Sequence, residues 1–157
     1  MMKLKKLFAA TLLMTAMVTT LNAQNYKGAF GLRMGYESGF TLKNFFSYSN
    51  ATEFILTGSP HYIQLAGLYE FHQPIPDVNN LNWFVGIGAH LGGIYHKKYE
   101  GDNRFLLGAD LIGGVEYTFP KVPFNLSLDW KPAFNFLNDY NSYWFYPFSL
   151  SFRYTFK

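Results

Sequence analysis

Residues 146–157 (YPFSLSFRYTFK) put an aromatic or aliphatic side chain at every second position: Tyr146, Phe148, Leu150, Phe152, Tyr154 and Phe156. Successive side chains of a strand point to opposite faces, so a strand here has one oily side and one side of Ser149, Ser151, Arg153 and Thr155. Such a strand suits a closed barrel that meets hydrocarbon outside, encloses polar groups and leaves no free edge. The membrane is therefore the first environment to consider.

Residues 1–23 follow a different pattern. Lys3, Lys5 and Lys6 precede an apolar run over 7–18 (LFAATLLMTAMV), and Leu21-Asn22-Ala23 offers a cleavage point before Gln24. This is the layout of a cleaved secretory signal peptide. The run is shorter than the ~20 residues a spanning helix needs. The expected organisation is a signal peptide over 1–23 and one barrel domain over 24–157. Of the 13 Lys and Arg residues three lie in the signal, and of the 10 Asp and Glu residues none does, so the barrel segment is charge-balanced. No basic patch remains to suggest nucleic acid as a partner. The absence of Cys excludes a lipid-anchored signal, a disulfide framework, a Cys-ligated metal and a thiol nucleophile.

Turn-rich breaks at 37–39, 49–51, 58–60, 73–82, 97–103, 120–123 and 135–144 divide the chain into eight extended segments: 27–36, 40–48, 52–58, 61–72, 83–96, 104–119, 124–134 and 145–156. Most reach the ~9–11 residues a tilted barrel strand needs; 52–58 is short. The expected fold is all-β, an eight-stranded antiparallel up-and-down transmembrane β-barrel. An even strand number puts both termini on one side, which export makes periplasmic, and turns 37–39, 58–60, 97–103 and 135–144 then face outward.

Alternation alone does not say which face meets lipid, so residue chemistry must decide. In 124–131, Phe124, Leu126, Leu128 and Trp130 alternate with Asn125, Ser127, Asp129 and Lys131. The same reading puts Leu107, Ala109, Leu111, Val115 and Tyr117 outside and Gly108, Asp110, Gly114, Glu116 and Thr118 inside. It also puts Trp83, Val85, Ile87, Ala89 and Leu91 outside, with Gly86, Gly88 and His90 within. The inverse assignment is a soluble lipocalin-like barrel with an oily interior. It fits less well, because the polar rows are rich in Gly and Ser rather than the Lys and Glu of a solvated surface. Trp83, Tyr117, Trp130, Tyr154 and Phe156 lie near segment ends, where interfacial girdles belong.

On these residues the segment after the signal resembles the small eight-stranded outer-membrane proteins of Gram-negative bacteria, the OmpA/OmpX-type barrels. Its closing strand resembles their assembly signal, with Ser149 polar, Ser151 where that pattern prefers Gly, and Tyr154 and Phe156 as the aromatic pair. Ser151 and the extra Lys157 depart from the pattern. The resemblance implies an outer-membrane monomer whose partners are outer-membrane lipids, lipopolysaccharide and, during assembly, the insertion machinery.

By parity Arg33, Lys43, Lys131 and Arg153 face inward together with Glu70, Asp110, Glu116 and Asp129, an expected network of ion pairs. An eight-stranded interior can be filled by side chains, so a structural or surface-interaction role is expected rather than a general diffusion pore. A narrow gated pore for ions or small solutes is the alternative. A second alternative is a lipid A-modifying enzyme, but catalysis needs a nucleophile, a base and an orienting group. None of His61, His72, His90 and His96 stands in the His-x-Ser arrangement of lipid A deacylase barrels. The expectation is no enzyme activity and no catalytic, cofactor-binding or metal site, with His90 hydrogen-bonded to Asp110. Gly86 to Gly92 has the wrong spacing and context for a phosphate loop. His90 and His96 stand about 20 Å apart along one strand, too far to share a metal. Glu100, Asp102 and Asn103 read as a solvated loop tip. The loops 97–103 and 135–144 mix polar and aromatic residues suited to an extracellular ligand, which the sequence does not identify. Lys97, Lys98 and Arg104 could pair with lipopolysaccharide phosphates.

Overall fold

The computed structural model describes residues 26–60, 62–94, 104–137, 143–144 and 148–157. The signal segment, His61, and the loop residues His96 to Asn103 singled out above lie outside these. Every regular element among the described residues is a strand: β1 (Gly28–Gly35), β2 (Gly39–Phe45), β3 (Asn50–Ser59), β4 (Tyr62–Pro74), β5 (Leu81–Ile94), β6 (Arg104–Thr118), β7 (Phe124–Trp130), β8 (Ala133–Asn135), β9 (Tyr143–Trp144) and β10 (Phe148–Phe156). Pairing is antiparallel throughout in the order β5-β4-β3-β2-β1-β10-β7-β6, and β5 pairs with β6 to close the ring.

β8 continues β7. Gly113 of β6 pairs with Trp130 and Gly108 with Asn135, the same register on both sides of Lys131-Pro132. Pro132 has no N–H to donate, which interrupts the ladder toward its neighbour, yet its carbonyl still accepts from Leu111 N at 3.0 Å. β9 pairs with β8, and β10 with β7 and β1. The structure is therefore a closed eight-stranded antiparallel β-barrel with short extensions, as expected from the segment count.

The stagger can be followed residue by residue. Phe30 leads through Leu42, Phe54, Gly67, Ala89 and Ala109 to Phe134, and in the other direction through Tyr154 to Phe124. Both routes end on the same β7–β8 strand, ten residues apart. Eight strands with that stagger tilt about 40° and leave a backbone radius of about 8 Å, room for side chains and little else.

Boundaries differ from the sequence reading in instructive ways. The segment expected to be short is a ten-residue strand, because Ala51, Glu53, Ile55 and Thr57 keep the inward parity from its first turn. The break expected over 73–82 shrinks to 75–80, where Asp77 and Asn80 adopt left-handed φ of 64°. These are residue types that tolerate that conformation. Trp130 sits mid-way along the β7–β8 strand rather than near its end.

The faces are sharply divided. Phe30, Leu32, Met34, Phe40, Leu42, Phe54, Leu56, Leu65, Ile87, Leu91, Leu111, Leu128, Leu150, Phe152 and Phe156 are exposed on the outer wall. Among the described strand side chains, every charged one points inward. The interior is not wholly polar. Ile55, Ala66, Leu68, Phe84 and Ile112 form an apolar patch on the β3–β6 side. Tyr26, Ala29, Phe45 and Ala51 close the end at which β1 begins and β10 finishes. Inward glycines leave room for the interior to fill: a Cβ at Gly108 would stand 2.5 Å from His90 Cε1 and collide with the Phe134 carbonyl oxygen.

Candidate functional site

β7 and β10 build one side of the interior from alternate residues, Asn125, Ser127 and Asp129 continuing to Lys131, and Ser149, Ser151 and Arg153, all buried. β1 to β6 supply the groups facing them. The result is two clusters stacked along the lumen.

The cluster nearer the start of β1 and the end of β10 centres on Lys43 and Arg153. Lys43 Nζ lies 2.8 Å from Glu70 Oε2 and 3.2 Å from both Glu53 Oε2 and Glu116 Oε2. It also stands 4.4 Å from the centre of the Phe84 ring, a favourable cation–π placement. Arg153 reaches Glu53 Oε1 at 2.5 Å, donates to Ser127 Oγ at 2.7 Å, to Asn125 Oδ1 at 3.2 Å and to Thr41 Oγ1 at 3.2 Å, and comes within 3.8 Å of Glu116. Thr41 in turn donates to Glu53. Tyr26 OH donates to Glu116 Oε1 at 2.7 Å. His72 Nε2 lies 2.9 Å from Glu70 Oε2, its ring stacked on Phe84 at 4.9 Å and edge-on to Phe45 at 4.8 Å.

In the second cluster Arg33 grips Asp129 with both terminal nitrogens, at 2.7 and 2.5 Å, the fork geometry that makes such pairs strong. Lys131 Nζ bridges Asp110 Oδ1 at 2.9 Å and Glu37 Oε2 at 3.1 Å. His90 Nδ1 faces Asp110 Oδ2 at 3.0 Å, and its Nε2 faces Asn135 Oδ1 at 2.7 Å rather than a serine. Gln64 donates to Glu37 Oε1 at 3.4 Å.

All eight residues that parity assigned to the lumen are buried there: Arg33, Lys43, Glu70, Asp110, Glu116, Asp129, Lys131 and Arg153. The structure distributes them between the two clusters and adds Glu37 and Glu53. Sequence reasoning missed these two because one lies in a turn and the other in the segment thought short. Parity could have found both, since Glu37 continues Arg33 and Gly35, and Glu53 alternates with Ala51 and Ile55. The expected balance of four cations and four carboxylates becomes, among the described residues, four and six. Of the assembly-signal residues, Ser149 and Ser151 point inward and Tyr154 and Phe156 outward. Among the described residues no three His, Asp or Glu side chains are grouped to hold a metal.

The outer wall carries a groove of about 940 Å³. Its floor is Gly67, Ala89 and Ala109, adjacent positions on three strands, with Phe54 and Phe134 at its ends.

No protein-family model matches the chain, and neither the curated proteins nor the solved structures yield a match.

Proposed function

We propose that the chain is an outer-membrane β-barrel protein with a structural or surface-interaction role, its lumen occupied by side chains. The observation that carries this reading is the inversion of polarity across the wall: the described charged strand side chains point inward, and large apolar side chains cover the outside. In water that arrangement would expose an apolar surface far larger than monomeric soluble proteins carry, whereas a bilayer core solvates it. The ion pairs crossing the lumen at 2.5–3.2 Å support a plug rather than a wide channel. The OmpA/OmpX-type resemblance of the sequence points the same way, with outer-membrane lipids and lipopolysaccharide as the surrounding partners. Residues 1–23, read as an export signal, lie outside the described part of the chain.

The test combines two measurements on cells expressing the protein. Fractionation should recover it in the outer membrane, and unboiled samples should migrate on gels differently from boiled ones, as closed barrels resist detergent. Recovery in the soluble fraction without a heat-dependent shift would overturn the reading.

A further inference from the structure

The end of the barrel at which β1 begins and β10 finishes carries a recess of about 560 Å³, separate from the lumen clusters. Its floor is Tyr26 and Phe45, both buried and packed edge to face at 5.2 Å. Around it stand Lys27, Lys157, Ser47 and the exposed rings of Phe46 and Tyr48. We propose that this recess binds the phosphate headgroup of an anionic phospholipid, with Lys27 and Lys157 on the phosphate and Phe46 and Tyr48 against the glycerol and the upper acyl chains.

Strand pairing brings the two lysines together. They lie one step beyond the pair Gly28–Phe156, and Lys27 N donates to Phe156 O at 3.0 Å. Two ammonium groups leaving neighbouring strand ends, ~4.8 Å apart, repel each other, and an anion between them removes that repulsion. A third exposed cation, Lys121, lies in the turn before β7, where the Pro123 carbonyl accepts from Thr155 N at 2.9 Å beside the end of β10. No carboxylate side chain among the described residues pairs with these lysines. Of the 10 Asp and Glu residues, Glu37, Glu53, Glu70, Asp110, Glu116 and Asp129 are buried in the lumen. Glu100, Asp102 and Asp139 fall in 95–103 and 138–142, which follow the far ends of β5 and β8. Asp77 lies in the turn between β4 and β5, on the opposite side of the ring from β1 and β10. Even counting an α-carboxylate on Lys157, this rim keeps a net positive charge.

Depth selects a lipid over a dissolved anion. Tyr48, 77% exposed, and Phe46 beside it suit the headgroup level of a bilayer, where aromatic side chains gather. Along the wall from the lysines, Phe156, Tyr154 and Phe124 continue an apolar surface on which acyl chains can lie, with Phe124 and Tyr154 in edge contact at 5.8 Å. The inference rests on the outer-membrane reading, in which this end meets the leaflet facing the periplasm. Each lysine held at an anionic lipid surface strengthens binding about fivefold, and the pair about 25-fold.

The experiment inserts the full chain into vesicles of phosphatidylcholine alone and of equimolar phosphatidylcholine and phosphatidylglycerol, extracts it in mild detergent and weighs the retained lipid by native mass spectrometry. Wild type should hold phosphatidylglycerol in preference to phosphatidylcholine. Lys27→Gln and Lys157→Gln should each weaken that retention about fivefold and the double variant about 25-fold, while Lys27→Arg/Lys157→Arg keeps it. The heat-dependent gel shift verifies that each variant is a closed barrel, and the wild-type comparison of the two lipids needs no variant. Equal retention of both lipids, a double Gln variant that holds phosphatidylglycerol as wild type does, loss of retention in the double Arg variant, or displacement of the lipid by inorganic phosphate would overturn the proposal. Insertion separates the two readings. A chain that enters the vesicles without lipid preference refutes the site and leaves the outer-membrane reading standing, whereas a chain that enters neither kind of vesicle refutes both.

Discussion

Replacing Lys43 by Met tests whether the lumen is a dry plug. The Lys43 amine is fully buried and lies within 2.8–3.2 Å of Glu53, Glu70 and Glu116. Methionine keeps most of the stem's volume, so little of the loss comes from a cavity and the change is chiefly electrostatic. Among the described residues, Arg153 would then be the one cation left beside Glu53 and Glu116, and Glu70 would lose its lysine partner. Removing one partner of a buried pair costs about 3–5 kcal/mol, and Lys43→Met should fall in that range. Equilibrium urea unfolding in detergent measures it, followed by tryptophan fluorescence and by the folded and unfolded bands on unboiled gels. The double variant Lys43→Met/Glu116→Gln, which removes one orphaned carboxylate, should recover a large part of the loss, the coupling expected of groups in one network. A cost under about 1 kcal/mol would mean that water reaches the cluster as it reaches surface pairs, and the plugged lumen would be refuted.

Two further substitutions probe the wall itself. Leu128, exposed on the outside between Val115 and Leu150, should tolerate Arg poorly in a bilayer, with insertion into lipid vesicles destabilised by about 2–4 kcal/mol near the midplane; an equally stable variant would invert the faces. Gly108→Ala places a methyl group 2.5 Å from the His90 ring and against the Phe134 carbonyl, and should cost about 1–3 kcal/mol in the same unfolding assay while loosening the His90–Asp110 contact. An unchanged imidazole NMR signal in that variant would count against the packing role given to Gly108.

The alternation of side chains is a local property of extended backbone, and it was readable without coordinates. It told that 124–131 splits into Phe124, Leu126, Leu128 and Trp130 against Asn125, Ser127, Asp129 and Lys131, and that the closing strand is oily on one side. From that came the all-β class, the strand number and the inward placement of all eight charged residues of the expected network. Even Glu37 and Glu53 carried the right parity; Glu37 was overlooked because it was assigned to a turn, and Glu53 because it lay in the segment taken to be short.

The partners were decided by tertiary structure alone. Arg153 meets Glu53 across 100 positions of sequence and Arg33 meets Asp129 across 96. Those encounters follow from the ten-residue stagger around the ring, a property of all the strand registers together that no single segment encodes. The same stagger sorts the described charges into two clusters. The physical reason is that parity belongs to one strand's pleat, whereas contact across a lumen depends on how eight pleats are slid past one another before the cylinder closes.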